Sequence, residues 1–220
     1  MSARKLIDNV YEIQLEYVRV FVLDGMPPGE VTLVDTGFER TAKKLIAILE
    51  DEFGSVNRVI LTHKGGDHYG GLTAVMERFH PKLYVPADEI ELLEAIDYVP
   101  DVTFADGDVL EGGIEVVQVH GHSRATSALY LREKRALISG DVLDGADRRG
   151  LPAGYLLPPP EMFNYDHAAA ERNLAKLLDY DFDKVFVFHG SHVMEDARIK
   201  LDRYLNFKQH YRQSLLSGQE

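Results

Sequence analysis

Apolar positions along the chain recur with two periods, and the switches between them mark out its elements. Residues 9–24 show partial apolar alternation among β-branched and aromatic residues (Val10, Tyr11, Ile13, Leu15, then Val18, Val20, Phe21, Val22), which predicts two strands. Pro27 and Pro28, set between Gly25 and Gly29, predict a turn into a third strand at Val31–Val34. From Glu39 to Phe53 the positions Ala42, Leu45, Ile46, Ile48 and Leu49 fit the buried face of a helix. A strand over 59–62, a polar loop over 63–69 and a helix to about Phe79 follow. Next come a strand over 82–86 and a helix that Asp88 can cap, reaching about Ile96.

After Pro100 the spacing shortens, and strands are predicted at 102–104, 108–110, 114–119, 127–131 and 136–138. The stretch 143–165 has four prolines, three glycines and no periodicity, so it reads as a long loop; loops of that length inside compact domains tend to be functional. A helix over 167–178, a strand over 185–188 and an amphipathic helix over 194–216 close the pattern. No internal repeat, low-complexity tract or Gly/Ser linker interrupts it. The order predicts an α+β chain with two sheets, organised as a single domain over residues 1–220.

Composition narrows the function classes. With 45% hydrophobic and 27% charged residues the chain is ordinary for a folded soluble protein. Its net charge of −12 argues against a nucleic-acid partner and against docking on an anionic membrane. The absence of cysteine excludes disulfides, thiolate metal sites and cysteine nucleophiles, so any metal must be held by His, Asp or Glu. The N-terminus lacks the apolar core of a signal peptide and no run reaches membrane-spanning length, which makes a cytoplasmic location the expectation.

The chemistry concentrates at predicted strand ends. His63, His68, His120, His122 and His189 all lie at or just after one, as do Asp67 and Asp141. Loops leaving one edge of a sheet can converge, and a rigid sheet then fixes their geometry. His63-Lys-Gly-Gly-Asp67-His68 offers three candidate ligands within a short loop, with Gly65 and Gly66 expected to let the backbone turn tightly. Imidazole and carboxylate suit zinc, and also iron or manganese. Taken alone, this is equally a polar loop whose Asp67 caps the next helix. His120-Gly-His122-Ser123, Gly140-Asp141 and His189-Gly190 repeat the placement, and together they outweigh any one of them.

In this order the motifs resemble those of the metallo-β-lactamase superfamily, from Val31 to about Leu205. Leu33-Val-Asp35-Thr-Gly37 is similar to its first motif, in which the Asp is structural. Thr62 to Gly71 resembles the His-x-His-x-Asp-His loop with its Gly pair, and Gly121-His122-Ser123, Gly140-Asp141 and His189-Gly190 resemble the remaining motifs. Asn164-Tyr-Asp166 ahead of a helix fits the glyoxalase-II-like branch. The resemblance implies a four-layer αββα sandwich of two mixed β-sheets with one or two zinc ions at one edge. His63 and His122 would serve the first metal, Asp67, His68 and His189 the second, and Asp141 would bridge them. A metal-bound hydroxide, oriented by Asp67, would hydrolyse an ester, thioester or lactone in a small-molecule substrate.

One position departs from the pattern. Gly65 stands where the loop motif has its second His, leaving the first half short of an imidazole and the second complete. Unequal metal affinity follows, a mononuclear hydrolase being feasible. His120 or His192 can replace the missing ligand, although His192 is expected to begin the last helix. A degraded site that binds metal or ligand with little turnover is the alternative. A bridging Asp and no Cys set the chain apart from many true β-lactamases. Tyr155, Met162, Phe163 and Tyr165 can wall the substrate, Arg124 can face a substrate carboxylate, Lys64 and Tyr69 are ambiguous, and Tyr11 and Tyr17 read as sheet residues. Ile199, Leu201, Tyr204, Leu205 and Phe207 on the last helix can pack on their own domain or on a second copy, which leaves a homo-oligomer open.

Overall fold

A computed structural model describes residues 2–217. Strands β1 (Arg4–Ile7), β2 (Val10–Leu15), β3 (Val18–Asp24), β4 (Val31–Val34), β5 (Arg58–Ile60), β6 (Lys82–Pro86) and β7 (Val102–Phe104) form a seven-stranded sheet in that order. Pairing is antiparallel from β1 to β4 and parallel from β4 to β7. The change follows the connections, since parallel neighbours need a crossover. Helix α1 (Ala42–Glu52) joins β4 to β5, α2 (Gly66–Tyr69) and α3 (Leu72–Phe79) join β5 to β6, and α4 (Ile90–Ala95) joins β6 to β7.

The second sheet contains β8 (Val109–Leu110), β9 (Ile114–Gln118), β10 (Ser127–Leu131) and β11 (Ala136–Ile138). A small hairpin of β12 (Asp144–Gly145) and β13 (Leu156–Leu157) follows, then α5 (His167–Asn173), a 3-10 segment over Leu174–Asp179, β14 (Lys184–Phe186) and α6 (Ala197–Ser217). Strand β14 returns parallel beside β11, giving the order β14-β11-β10-β9-β8.

Strict alternation in the second sheet explains the layering. Ile114, Val116, Leu129, Leu131, Ile138 and Phe186 belong to a core shared with the first sheet and with α1 and α3. Their neighbours Val117, Ala128, Tyr130, Leu137 and Val185 pack with Leu174, Leu177, Ala197 and Leu201 from the covering helices. Phe21 sits at the middle of the inter-sheet core, its ring 4.9 Å from Phe188 and 6.3 Å from Phe186. The result is the expected αββα sandwich of two mixed sheets.

Several local expectations are corrected. Strand β1 is an additional edge strand whose Arg4 and Lys5 are solvated, so hydropathy carries no sign of it. Asp88 does not cap α4: the N-cap position is Glu89, and no side chain caps the helix. The stretch 143–165 is built from the β12–β13 hairpin and short 3-10 turns rather than irregular loop. On α6, Leu201 is buried and Tyr204 and Leu205 pack against their own domain, whereas Ile199 and Phe207 are exposed. No helix among the described residues is long and apolar enough to cross a membrane.

Phe21→Ala removes a fully buried ring from the inter-sheet core and is expected to lower stability by about 3–5 kcal/mol. Urea unfolding followed by circular dichroism reads that loss as a lower midpoint.

Candidate metal centre

The ends of β4, β5, β11 and β14 and the loop after β9 meet along one edge of the sandwich. Two backbone hydrogen bonds lock the sheets together there: Ser127 N–H donates to the Thr62 carbonyl and Arg19 N–H to the Phe188 carbonyl, both at 3.1 Å. Close approach at this edge also requires glycine: Gly140 has φ +52°, and a Cβ on it would lie 2.6 Å from the Ser127 carbonyl oxygen.

Beneath the edge lies Asp35, fully buried and in the left-handed region at φ +59°. Its Oδ1 accepts from the Thr62 backbone N–H at 2.8 Å, and its Oδ2 accepts from the Thr62 hydroxyl at 2.7 Å. The same Oδ2 accepts from His68 Nδ1 at 2.7 Å. Because the Thr62 hydroxyl spends its proton on Asp35, it can only accept from His63 Nδ1, 3.0 Å away. Elsewhere, His122 Nδ1 donates to Asn164 Oδ1 at 3.1 Å and His189 Nδ1 to the Tyr17 carbonyl at 3.1 Å. Every Nδ1 in the set is thus committed as a donor, and the partners assign each Nε2 a free lone pair.

Those lone pairs converge. His63, His122 and Asp141 form one group of close donor atoms, and Asp67, His68 and His189 form another, each lying within 4.8 Å of one another. His63 Nε2 and His122 Nε2 are 3.2 Å apart, a repulsive contact between two lone pairs that a shared cation would turn into attraction. Asp141 lies between the groups, with Oδ1 3.3 Å from His68 Nε2 and 3.6 Å from His189 Nε2, and Oδ2 3.6 Å from His122 Nε2. Asp67 Oδ2 is 3.3 Å from His189 Nε2. His68 Nε2, His189 Nε2 and Asp141 Oδ1 are buried without a hydrogen-bond partner. Acceptors left unpartnered at such depth are costly, and a cluster of imidazoles and carboxylates fits a divalent cation such as zinc.

Electrostatics points the same way. Burial, reinforced by His68 and His122, holds His63 well below the usual imidazole range, so it is neutral and able to coordinate. Burial opposes charge on Asp141, yet His68, His189 and His63 outweigh it and keep the carboxyl well below its ordinary range. Asp67 sits at about 2, burial again being outweighed, here by His189 and His68. For His68, burial is overcome by Asp141 and Asp35, which push its pKa well above the ordinary value. A proton on His68 and a metal cation are competing ways to neutralise the same carboxylates.

The structure brings together all six residues expected from the sequence, but two rationales change. Asp67 lies inside α2 and caps nothing. Gly65 is extended at φ −141°, ψ 129°, and Gly66 is helical, so neither supplies a turn reserved for glycine. What Gly65 supplies is space: a Cβ there would fall 2.9 Å from His63 Nε2 and 3.0 Å from His68 Cδ2. Neither other histidine replaces the missing imidazole. His120 is exposed, its Nδ1 bonded to the Arg124 carbonyl. His192 precedes the last helix instead of beginning it; its Nδ1 accepts from Val187 N–H at 3.0 Å and its Nε2 donates to Glu12 at 2.7 Å.

Further residues enter that the sequence did not single out. Buried Glu89 accepts from Ala125 N–H at 2.6 Å and from the Ser123 hydroxyl, and reaches Lys64 N–H at 3.4 Å, joining the loops that carry His63 and His122. Above the cluster opens a cavity of about 700 Å³ whose wall includes Tyr17, Phe38, Lys64, Arg148 and Phe163. Tyr17 lies in the turn after β2 and is exposed, unlike Tyr11, which lies within that strand. Of the expected aromatic wall, only Phe163 lines this cavity; Tyr155 lines a groove beside α6, Tyr165 and Arg124 line a pocket near His120, and Met162 is solvated. Of the cavity residues, Phe163 and Lys64 carry a signal in the sequence, Tyr17 reads there as a sheet residue, and Phe38 and Arg148, like Glu89, carry none.

Residues 14–189 match the family model described as metallo-beta-lactamase superfamily. Among curated relatives, the chain is 27% identical to a beta-lactamase-like protein 2 homolog of Caenorhabditis elegans over 80% of this chain and 57% of that protein. It is 31% identical to a hydroxyacylglutathione hydrolase of Rhodopseudomonas palustris over 46% of this chain and 40% of that protein. The chain therefore spans about half the length of these relatives. Among solved structures, a metallo-beta-lactamase from Pontibacter korlensis superposes with a TM-score of 0.73 at 20% identity, covering 94% of this chain and 98% of that one. A metallo-beta-lactamase family protein from Thermus thermophilus gives 0.70 at 21% identity, over 97% of this chain and 83% of that one.

Two outcomes are expected. Asp35→Asn keeps the shape but weakens the hold on His68 and should lower zinc affinity roughly 10- to 100-fold, read by competition with a chromogenic chelator. Glu12, buried, is held at about 2 because His192, Arg4 and Arg19 outweigh burial. A depressed carboxyl contributes stability above its unfolded value of 4.5 and loses it as pH falls toward 2. Glu12→Gln should accordingly cost about 1–3 kcal/mol near neutrality and flatten the acid limb of melting temperature against pH.

Proposed function

The chain belongs to the metallo-beta-lactamase superfamily, and from that premise we propose that it hydrolyses an ester, thioester or lactone in a small-molecule substrate with one or two divalent metal ions, zinc first. The observation that carries this reading is the convergence of the Nε2 atoms of His63, His68, His122 and His189 on Asp67 and Asp141, with every Nδ1 engaged elsewhere. Iron and manganese share the same donor chemistry.

His63 and His122 would hold one ion, Asp67, His68 and His189 the other, and Asp141 reaches toward both. A bound ion supplies Lewis acidity, lowering the pKa of water and polarising an acyl carbonyl. The chain's own residues do the rest. Asp35 and Thr62 fix the imidazole tautomers, and Phe38 and Phe163 limit water around the acyl group. Asp67, ionised at neutrality and partly open to the cavity, orients the attacking water. Similarity to hydroxyacylglutathione hydrolases favours a thioester. Because Gly65 leaves the His63 half with fewer donors, the half containing Asp67, His68, His189 and Asp141 is proposed to fill first.

Protein purified without added metal should carry metal detectable by mass spectrometry, bind a first zinc equivalent more tightly than a second, and turn over members of an ester and thioester panel. Chelator should abolish that turnover, and Asp67→Ala should lower it at least about 100-fold. Bound metal with no turnover on any acyl substrate would favour a metal-binding role, and no effect of chelator on melting temperature would remove the metal centre altogether.

A further inference from the structure

The wall of the cavity above the His/Asp cluster includes a guanidinium held in place by its neighbours. Arg148 follows the β12 strand, and its Nη1 donates at 2.6 Å to Oδ2 of Asp144, a carboxylate 1% exposed. Its guanidinium also lies over the Phe163 ring, 5.3 Å from the centroid. These contacts anchor the group from behind and from one face. The Asp144 contact is single rather than forked, and Arg148 makes no other hydrogen bond with the described residues. The remaining N–H donors of a planar guanidinium are therefore available, and Arg148 and Phe163 both line the cavity that holds Asp67 and Asp141.

The other cation of the wall is differently placed. Lys64 is 41% exposed and pairs with Glu91 at 3.4 Å. It is a part-exposed surface charge, whereas Arg148 is three-quarters buried and held by Asp144 and Phe163. In a chain of net charge −12, a fixed guanidinium facing a reaction cavity selects against cationic molecules and for anionic ones.

We propose that Arg148 is the recognition group for a carboxylate, or an equivalent anion, on the substrate, so that the preferred substrates are acyl compounds bearing a negative charge away from the scissile bond. This rests on the hydrolase reading above and adds a substrate class to it. Phe163 covers the apolar part of the chain between the two ends, and Asp144 is a positioning residue that acts through Arg148. The guanidinium is not asked to take part in bond breaking.

Two isosteric pairs test this on zinc-loaded protein. The first is kinetic: mono-p-nitrophenyl glutarate against p-nitrophenyl valerate. The second needs no turnover: glutaric acid monoanilide against valeranilide, with binding read by calorimetry. The anionic member of each pair is expected to be favoured roughly 10- to 100-fold, in kcat/KM and in affinity. Arg148→Met should erase both preferences, and Arg148→Lys should restore part of them. Equal treatment of the two members by the unaltered protein, or a preference that survives Arg148→Met, would overturn the proposal. If Arg148→Met does not fold, Arg148→Gln is read in the same way, and a preference that survives it overturns the proposal equally. If neither ester is cleaved but the anilide preference holds and depends on Arg148, the anion site stands, and the hydrolase reading is decided separately by the ester and thioester panel.

Discussion

A single buried carboxylate decides what the histidines can do. Asp35 is sealed from water, and its Oδ2 receives both the Thr62 hydroxyl proton and the His68 Nδ1 proton. Once Thr62 has given its proton to Asp35, its oxygen must accept from His63. Two imidazoles on different turns therefore inherit their tautomer, and the direction of their free lone pair, from one side chain that touches no candidate metal position. Burial pushes the Asp35 carboxyl up, against the opposing pull of His68 and Thr62. Such a group is tolerable only when nearly all its acceptor capacity is used, and that requirement explains why the surroundings of Asp35 are so fully specified. Moving any of them would leave a buried charge without a partner.

Gly65 shows the opposite kind of constraint, a space left open. Its backbone is ordinary extended chain, so any residue could adopt it. A side chain there would meet His63 Nε2 and His68 Cδ2, which means the imidazoles have closed into the room that a Cβ would need. No nearby histidine stands in for the missing imidazole either: His120 is tied to the Arg124 carbonyl and His192 to Glu12 and Val187.

What was legible in the sequence was whatever is written in side-chain identity and period. Alternation in β9 and β10 gave the two faces of the second sheet, and the strand-end positions of His63, His122, Asp141 and His189 gave the cluster. What escaped was written in backbone or in distance. The acceptor for His189 is the Tyr17 carbonyl, and any residue at 17 would offer one. Glu89 looks like an exposed residue at a helix start, yet it is buried because the loops carrying His63 and His122 close over it from far along the chain. Arg148 lies in a stretch whose prolines and glycines hide its short hairpin, and Arg124, closer to a motif, faces a different pocket. Strand β1 is amphiphilic in the wrong sense for detection, being an edge whose charged residues are solvated.

The placement of the donors also binds the site to the fold. His63, Asp67 and His68 follow β5 of the first sheet, whereas His122, Asp141 and His189 follow β9, β11 and β14 of the second. Each triad thus draws on both sheets, so its geometry is only as exact as the packing between them. That packing is set by the apolar layer around Phe21, Phe186 and Phe188 and finished by the Ser127–Thr62 and Arg19–Phe188 hydrogen bonds at the edge. A change of one methylene in such a layer is felt at a distance because interiors are close-packed. The converse also holds: a cation held by either triad would tie the two sheets together, and its binding energy would add to the stability of the sandwich through linkage. Core and site are in this sense one device. The hydrophobic layer brings the donors to within coordinating distance, and the donors, once neutralised, remove the main electrostatic penalty of having been brought there.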